Sequence, residues 1–153
     1  MTDKAAHRAL AAQFFNECWG LLDRKDRLPQ DNLQMIHLAH ASRLHWQFAG
    51  GAREWAIGEW QISRVHALLG QAEAALFHAQ AALDLAGNGQ CGPFLAASGH
   101  EGMARALRVA GRSGEVEGHL RAAATWLNQI EDAEDRAVVA ADLAEAGQVL
   151  PAG

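Results

Sequence analysis

Tyrosine is absent from this 153-residue chain, proline occurs three times and cysteine twice, and aromatic residues make up only 7% of the whole. Strands draw on aromatic and β-branched residues, and helices on alanine, leucine and the long polar side chains. A chain poor in the first group and rich in alanine is therefore expected to be all-α. Cys18 and Cys91 lie far apart and outside any Cys-x-x-Cys spacing, which argues against a disulfide framework and a thiolate zinc site and fits reduced thiols. Cations are the minority charge: 13 Lys and Arg stand against 18 Asp and Glu, a formal net charge of −5. That balance disfavours a nucleic-acid partner, because such proteins cluster Lys and Arg against phosphate. No apolar run approaches the roughly 18 to 20 residues that cross a bilayer. The stretch from Met1 to Phe15 mixes Asp3, Lys4, His7 and Arg8 with alanines instead of forming a signal core. The expectation is a cytoplasmic protein without a membrane partner.

Half of the residues are apolar and 20% charged, an ordinary globular balance in a length that suits a single domain over 1–153. Apolar positions recur every three or four residues, and the breaks fall at glycine, proline or aspartate, which divides the chain into seven helices. Thr2 is a candidate cap for the first, whose stripe is Leu10, Phe14, Cys18, Leu21 and Leu22. The second starts near Pro29 to Asp31, with Leu33, Ile36, His40, Leu44 and Phe48 on one face, and stops at Gly50-Gly51. The third runs from about Arg53 to Leu69. The fourth, from Gln71 to Ala86, carries a narrow stripe of Ala72, Ala75, Leu76, Ala79, Ala82 and Leu83. The loop from Gly87 to Pro93 precedes a fifth helix from Phe94 to Ala110, and a sixth carries Val116, Leu120, Ala123, Leu127 and Ile130. Asp132 caps a seventh, with Val138, Ala141 and Leu143 facing inward before Gly147. Three hairpins, about 2–50, 53–87 and 94–130, and a capping helix, about 132–147, are the expected organisation.

Placing Gly70 on Gly111 superposes the third helix on the fifth at an offset of 41 residues and also matches Ala56 with Ala97, Arg64 with Arg105 and Ile62 with Met103. A repeated helix-turn-helix of this size marks an α-solenoid, since one hairpin cannot bury both apolar faces. In the sixth helix, the Arg112-Ser113-Gly114 segment is expected to shift the register of the second unit.

The segment from Glu59 to Asn88 resembles a tetratricopeptide-repeat (TPR) unit. It has a small residue, Ser63, one turn after Glu59, then Gly70 at the turn, Ala75 and Ala82 seven apart, and Leu83 and Leu85 after them. It departs from the family pattern at Glu59, His66 and Gly87, where that pattern has a large apolar residue, an aromatic and a proline. The resemblance implies a short TPR-like solenoid, a protein–protein interaction scaffold without catalysis, binding a peptide or protein partner in a groove lined by the first helix of each hairpin. Carried over position by position, it places Ile57, Trp60 and Arg64, with Ser98, Glu101, Arg105 and Arg108, in that groove.

Two arginines beside an aromatic side chain can hold a carboxylate or phosphate. The competing role for Arg64 is an ion pair with Glu101 that bridges hairpins. His45 and Trp46 could join Trp60, Arg64 and Arg105 around one cavity, which leaves a small-molecule or anion-binding helical protein, extending to a metal-dependent enzyme, as the alternative function. His37 and His40 lie one turn apart and become candidate metal ligands if His100 or Glu101 joins them, whereas packing accounts for His66, His78 and His119. Trp46, Trp55 and Trp60 could cluster around the Gly50-Gly51 break. Self-association into a homo-oligomer through the alanine-rich helix or the capping helix is a third reading. No nucleophile or cofactor motif stands out, so no cofactor is expected.

Overall fold

The computed structural model describes residues 3–149 and 151–152, and among them every regular element is helical. In chain order these are α1 Lys4–Leu22, α2 Pro29–Ala49, α3 Ala52–Leu68, α4 Ala72–Ala86, α5 Pro93–Val109, α6 Val116–Leu127 and α7 Ala133–Ala146, with a single 3-10 turn, Ser113–Glu115, before α6. Each helix packs on its neighbours in sequence, and α5 also touches α3 and α7. α1, α3, α5 and α7 therefore form an inner layer and α2, α4 and α6 an outer one.

Local chemistry sets the ends. The Asp3 carboxylate accepts from the Ala6 N–H at 2.7 Å and caps α1; Thr2 lies outside the described residues. Pro29 occupies the first position of α2 and Pro93 that of α5, where a missing N–H costs nothing. Asp132 accepts from the Asp135 N–H at 2.9 Å and caps α7, as its position before an acidic turn predicts. α3 and α5 end alike. Gly70 (φ 73°) and Gly111 (φ 75°) are both left-handed, and the next N–H reaches back five residues, from Gln71 to the His66 carbonyl and from Arg112 to the Leu107 carbonyl, both at 2.9 Å. This is the glycine-terminated helix end that a side chain with a Cβ would strain.

The 41-residue offset extends well beyond those turns. α3 and α5 begin and end 41 residues apart, and Ser113–Glu115 with α6 spans the counterpart of α4 with the same offset at its C-terminus. The register shift expected at Arg112-Ser113-Gly114 does not occur; Ser113–Glu115 instead forms a 3-10 turn that leads directly into α6. The unit is longer than the TPR period of about 34 residues.

The core is built from small side chains. Ala75, Ala79, Ala82 and Ala86 of α4 are all at most 2% exposed, so the predicted small-residue stripe is the contact with α3 and α5. α5 is central, with 12 of its 17 residues buried. Two predicted faces turn out differently. In α2 the buried residues are Met35, Leu38, Ala39, Ser42 and Ala49, while Leu33, Leu44 and Phe48 are exposed. In α7 Val139 and Ala146 are buried, and Val138 and Ala141 face solvent. Buried hydroxyls tie the layers together: Ser42 donates to the Ala11 carbonyl at 2.7 Å and Ser63 to the Ala75 carbonyl at 2.8 Å. Cys18 is buried against α2, and desolvation pushes its thiol up to about 12, which leaves it unreactive. No described helix is long and apolar enough to cross a membrane.

Candidate functional site

The inner layer carries Trp60 of α3 beside Glu101 of α5. The Trp60 indole N–H donates to Glu101 Oε2 at 2.9 Å across 41 residues of sequence. Glu101 is 1% exposed, and its Oε1 accepts from Arg105 Nε at 2.9 Å and pairs with Arg105 Nη2 at 2.8 Å. Arg105 also reaches Glu145 of α7 at 2.8 Å. Arg64 turns to α7 as well, with Asp142 at 3.3 Å and Glu145 at 3.6 Å. Its guanidinium lies over the Trp19 and Trp60 rings at 5.6 and 5.7 Å from their centroids, and those rings are 5.8 Å apart.

Trp60, Arg64, Glu101 and Arg105 thus come together, and α1 and α7 add Trp19, Asp142 and Glu145. The sequence contains a signal for the first two additions. Stepping back 41 residues from Trp60 reaches Trp19, and stepping forward 41 from Glu101 reaches Asp142. The bridge expected between Arg64 and Glu101 is redistributed, with Arg105 taking Glu101 and Arg64 the α7 acids. Two arginines face three carboxylates, +2 against −3, so this network has no cationic excess for a free anion. Burial pushes the Glu101 carboxyl up against the pull of Arg105 and Arg64. Burial likewise works against the Arg105 charge, but Glu101 and Glu145 outweigh it and hold Arg105 above its ordinary value.

At Glu145 burial raises the carboxyl, and the Arg105 hydrogen bond and the Arg105 and Arg64 charges more than reverse this, so it titrates below its ordinary value. A depressed folded value contributes stability that is present above the unfolded value of about 4.3 and is lost as pH falls through the folded one. Glu145→Gln is expected to be less stable than wild type at pH 7, with the gap closing between about pH 5 and pH 3. Thermal melts across that range check it.

Beside this network, α1, α3, α5 and α7 enclose a groove of about 540 Å³. Its floor is Ala56, Ala82, Ala86, Leu95 and Gly99, and its walls include Phe15, Trp19, Ile57, Trp60, Phe94 and Val138, with Ser98, Asp23, Arg64 and Asp142 as polar points. Small residues from α4 and α5 set its depth. Gly102 lets Trp60 lie against α5, since a Cβ there would come within 3.0 Å of the indole. Trp19 and Arg64 also border a second, more polar basin of about 660 Å³.

Other predicted site residues lie elsewhere. His45 contacts His7 of α1, Nδ1 to Nδ1 at 2.8 Å, and the Trp46 ring lies under Arg8 at 5.2 Å. Both belong to the α1–α2 hairpin and neither lines the groove. Trp55 donates to the Trp46 carbonyl at 2.8 Å, but Trp60 packs against Trp19 with the rings tilted, so the three tryptophans do not cluster around Gly50-Gly51. Arg108 donates to the Val149 carbonyl at 2.8 Å and holds the segment after α7. His37 is exposed on α2. His100 meets His119 at 3.0 Å between α5 and α6, so neither it nor Glu101 joins His40. The companions of His40 are His66 and His78, with one ring nitrogen from each within 4.8 Å of the others. Burial pushes His40 below its ordinary value, and the charges of His78 and His66 act in the same direction.

No protein-family model, curated protein or solved structure matches the chain. What the geometry defines is a class: an all-α stack of helical hairpins with an apolar groove along its inner helices.

Proposed function

We propose that this chain is a TPR-like interaction scaffold without catalysis, which binds a peptide segment of a partner protein in the inner groove. The supporting observation is the groove itself, where four successive inner helices contribute aromatic and aliphatic walls to one cavity of about 540 Å³. Apolar concave surfaces with a few converging polar groups are where ligands bind. The occupant is an extended or helical segment that presents a large aliphatic or aromatic anchor to Trp19, Ile57 and Trp60. The ion-pair network beside it supports this choice over an anion ligand, because its arginines are already matched by carboxylates. It serves instead to hold α3, α5 and α7 at the spacing that keeps the groove open.

Val138 is 54% exposed on the groove wall, so an acid there costs the fold little and puts a charge beside the anchor. Peptides selected from a random displayed library on the wild-type chain are expected to share an aromatic or aliphatic anchor. They should bind Val138→Asp at least tenfold more weakly, about 1.4 kcal/mol, and bind Leu44→Asp, altered on the outer face, as well as wild type. Equal loss in both variants, or none in Val138→Asp, counts against the groove.

A further inference from the structure

Three histidines from three helices converge on the outer side: His40 from α2, His66 from α3 and His78 from α4. We infer that they form a binding site for a divalent late transition metal, zinc foremost, clamping the first hairpin to the second. None of the three lines the groove, so this site stands apart from the proposed peptide site.

Hydrogen bonds at Nδ1 leave two of the three rings ready to ligate through Nε2. His66 Nδ1 lies 2.6 Å from Gln71 Oε1, an acceptor, so its ring proton sits on Nδ1 and Nε2 presents a lone pair. His78 Nδ1 lies 2.7 Å from a Glu59 carboxylate oxygen, which places its proton the same way and frees its Nε2. Glu59 is held in turn by Arg43 at 3.2 Å. Metal-binding histidines have this arrangement, in which the non-ligating N–H is anchored to a carboxylate or carbonyl that fixes tautomer and ring plane. The left-handed Gly70 turn sets part of it, because the Gln71 N–H that returns to the His66 carbonyl brings the Gln71 side-chain amide to His66 Nδ1.

The spacing fits too. His40 Nε2 and His66 Nε2 are 3.3 Å apart, and two nitrogens about 2.0–2.1 Å from one tetrahedral zinc are separated by about 3.4 Å. An all-imidazole donor set suits zinc, copper or nickel and disfavours magnesium and calcium, which take oxygen ligands. Three protein ligands leave a fourth position for water or a small ligand, and His40 is exposed, so solvent reaches the trio. An open position of this kind is found in catalytic zinc centres.

The test titrates the full, metal-free chain with Co2+ and follows its visible absorption, then displaces Co2+ with Zn2+ and reads stoichiometry by calorimetry. The expected result is an intense tetrahedral-type band that saturates at one metal per chain and is abolished by Zn2+. His40→Ala and His78→Ala should lose the band with helix content unchanged in far-ultraviolet circular dichroism. His37→Ala should keep it, and Glu59→Gln should bind about 10–100-fold more weakly. The weak band of octahedral Co2+ in the unaltered chain would overturn the site whatever the variants do. So would a band lost in His37→Ala and kept in His78→Ala, which would assign the metal to a surface pair on α2 alone.

Discussion

Arg105→Met is expected to lower the unfolding free energy by about 3–5 kcal/mol, the usual cost of removing one partner from a buried ion pair. A domain of this size has roughly 5–15 kcal/mol in total. The reason is local. Glu101 is 1% exposed, and without Arg105 only the Trp60 N–H and the more distant Arg64 face its charge. Burial already pushes this carboxyl up, and losing the guanidinium pushes it further, so in the variant its folded value lies above its unfolded one. Such a group contributes stability that is present below the unfolded value and lost as pH rises through the folded one. The deficit relative to wild type should therefore be larger at pH 7 than at pH 5. Arg105→Met with Glu101→Met should recover more than half of the loss, because an apolar pair of similar size removes the stranded charge. The Trp60 N–H, left without its acceptor, accounts for the remainder. Urea unfolding of wild type and the two variants measures this, and a loss below about 1 kcal/mol in the single variant would make the pair an incidental contact.

Gly89→Ala is the second large effect, on the order of 3 kcal/mol. Gly89 has φ 86° in the loop between α4 and α5, and a Cβ there would collide with Cη2 of Trp126. The left-handed backbone costs a residue with a Cβ about 1–2 kcal/mol, and displacing a packed indole adds roughly 1–3 kcal/mol. Trp126 packs with Ala97, Ile130, Val139 and Leu143, where α7 closes the stack, so the displacement spreads to the last inner helix. In a Trp126→Leu background the steric part should vanish, leaving the backbone part of about 1–2 kcal/mol. Thermal melts of the four proteins separate the two contributions.

The helices were legible in the sequence because their ends are chemical. Pro29, Gly70, Gly111 and Asp132 each act within one turn of backbone, and all four mark boundaries in the structure. Faces were less legible. In α2 the bulky Leu33, Leu44 and Phe48 form a regular stripe, yet the helix buries Ala39 and Ser42, since close approach to α1 selects for small side chains and not for size. In α7 Val138 and Val139 are adjacent, and only the tertiary neighbours of Val139, Ala97 and Ile130, decide which is inside.

The inner cluster was half legible. Trp60, Arg64, Glu101 and Arg105 follow from one offset, and extending it in both directions would have reached Trp19 and Asp142. Glu145 occupies no such position and is found only by folding α7 onto α5. The histidine trio lay beyond sequence spacing altogether, because His40, His66 and His78 come from three separate helices. Only the packing of α2 and α4 around α3 brings their nitrogens together.

Amide chemical-shift mapping of the isotope-labelled chain with its tightest selected peptide tests binding in the inner groove most directly. The predicted shifts concentrate on Trp19, Ile57, Trp60, Ser98 and Val138, with little change at Leu44, Phe48 and Phe77 of the outer layer. Shifts confined to those three outer residues and their neighbours would contradict it.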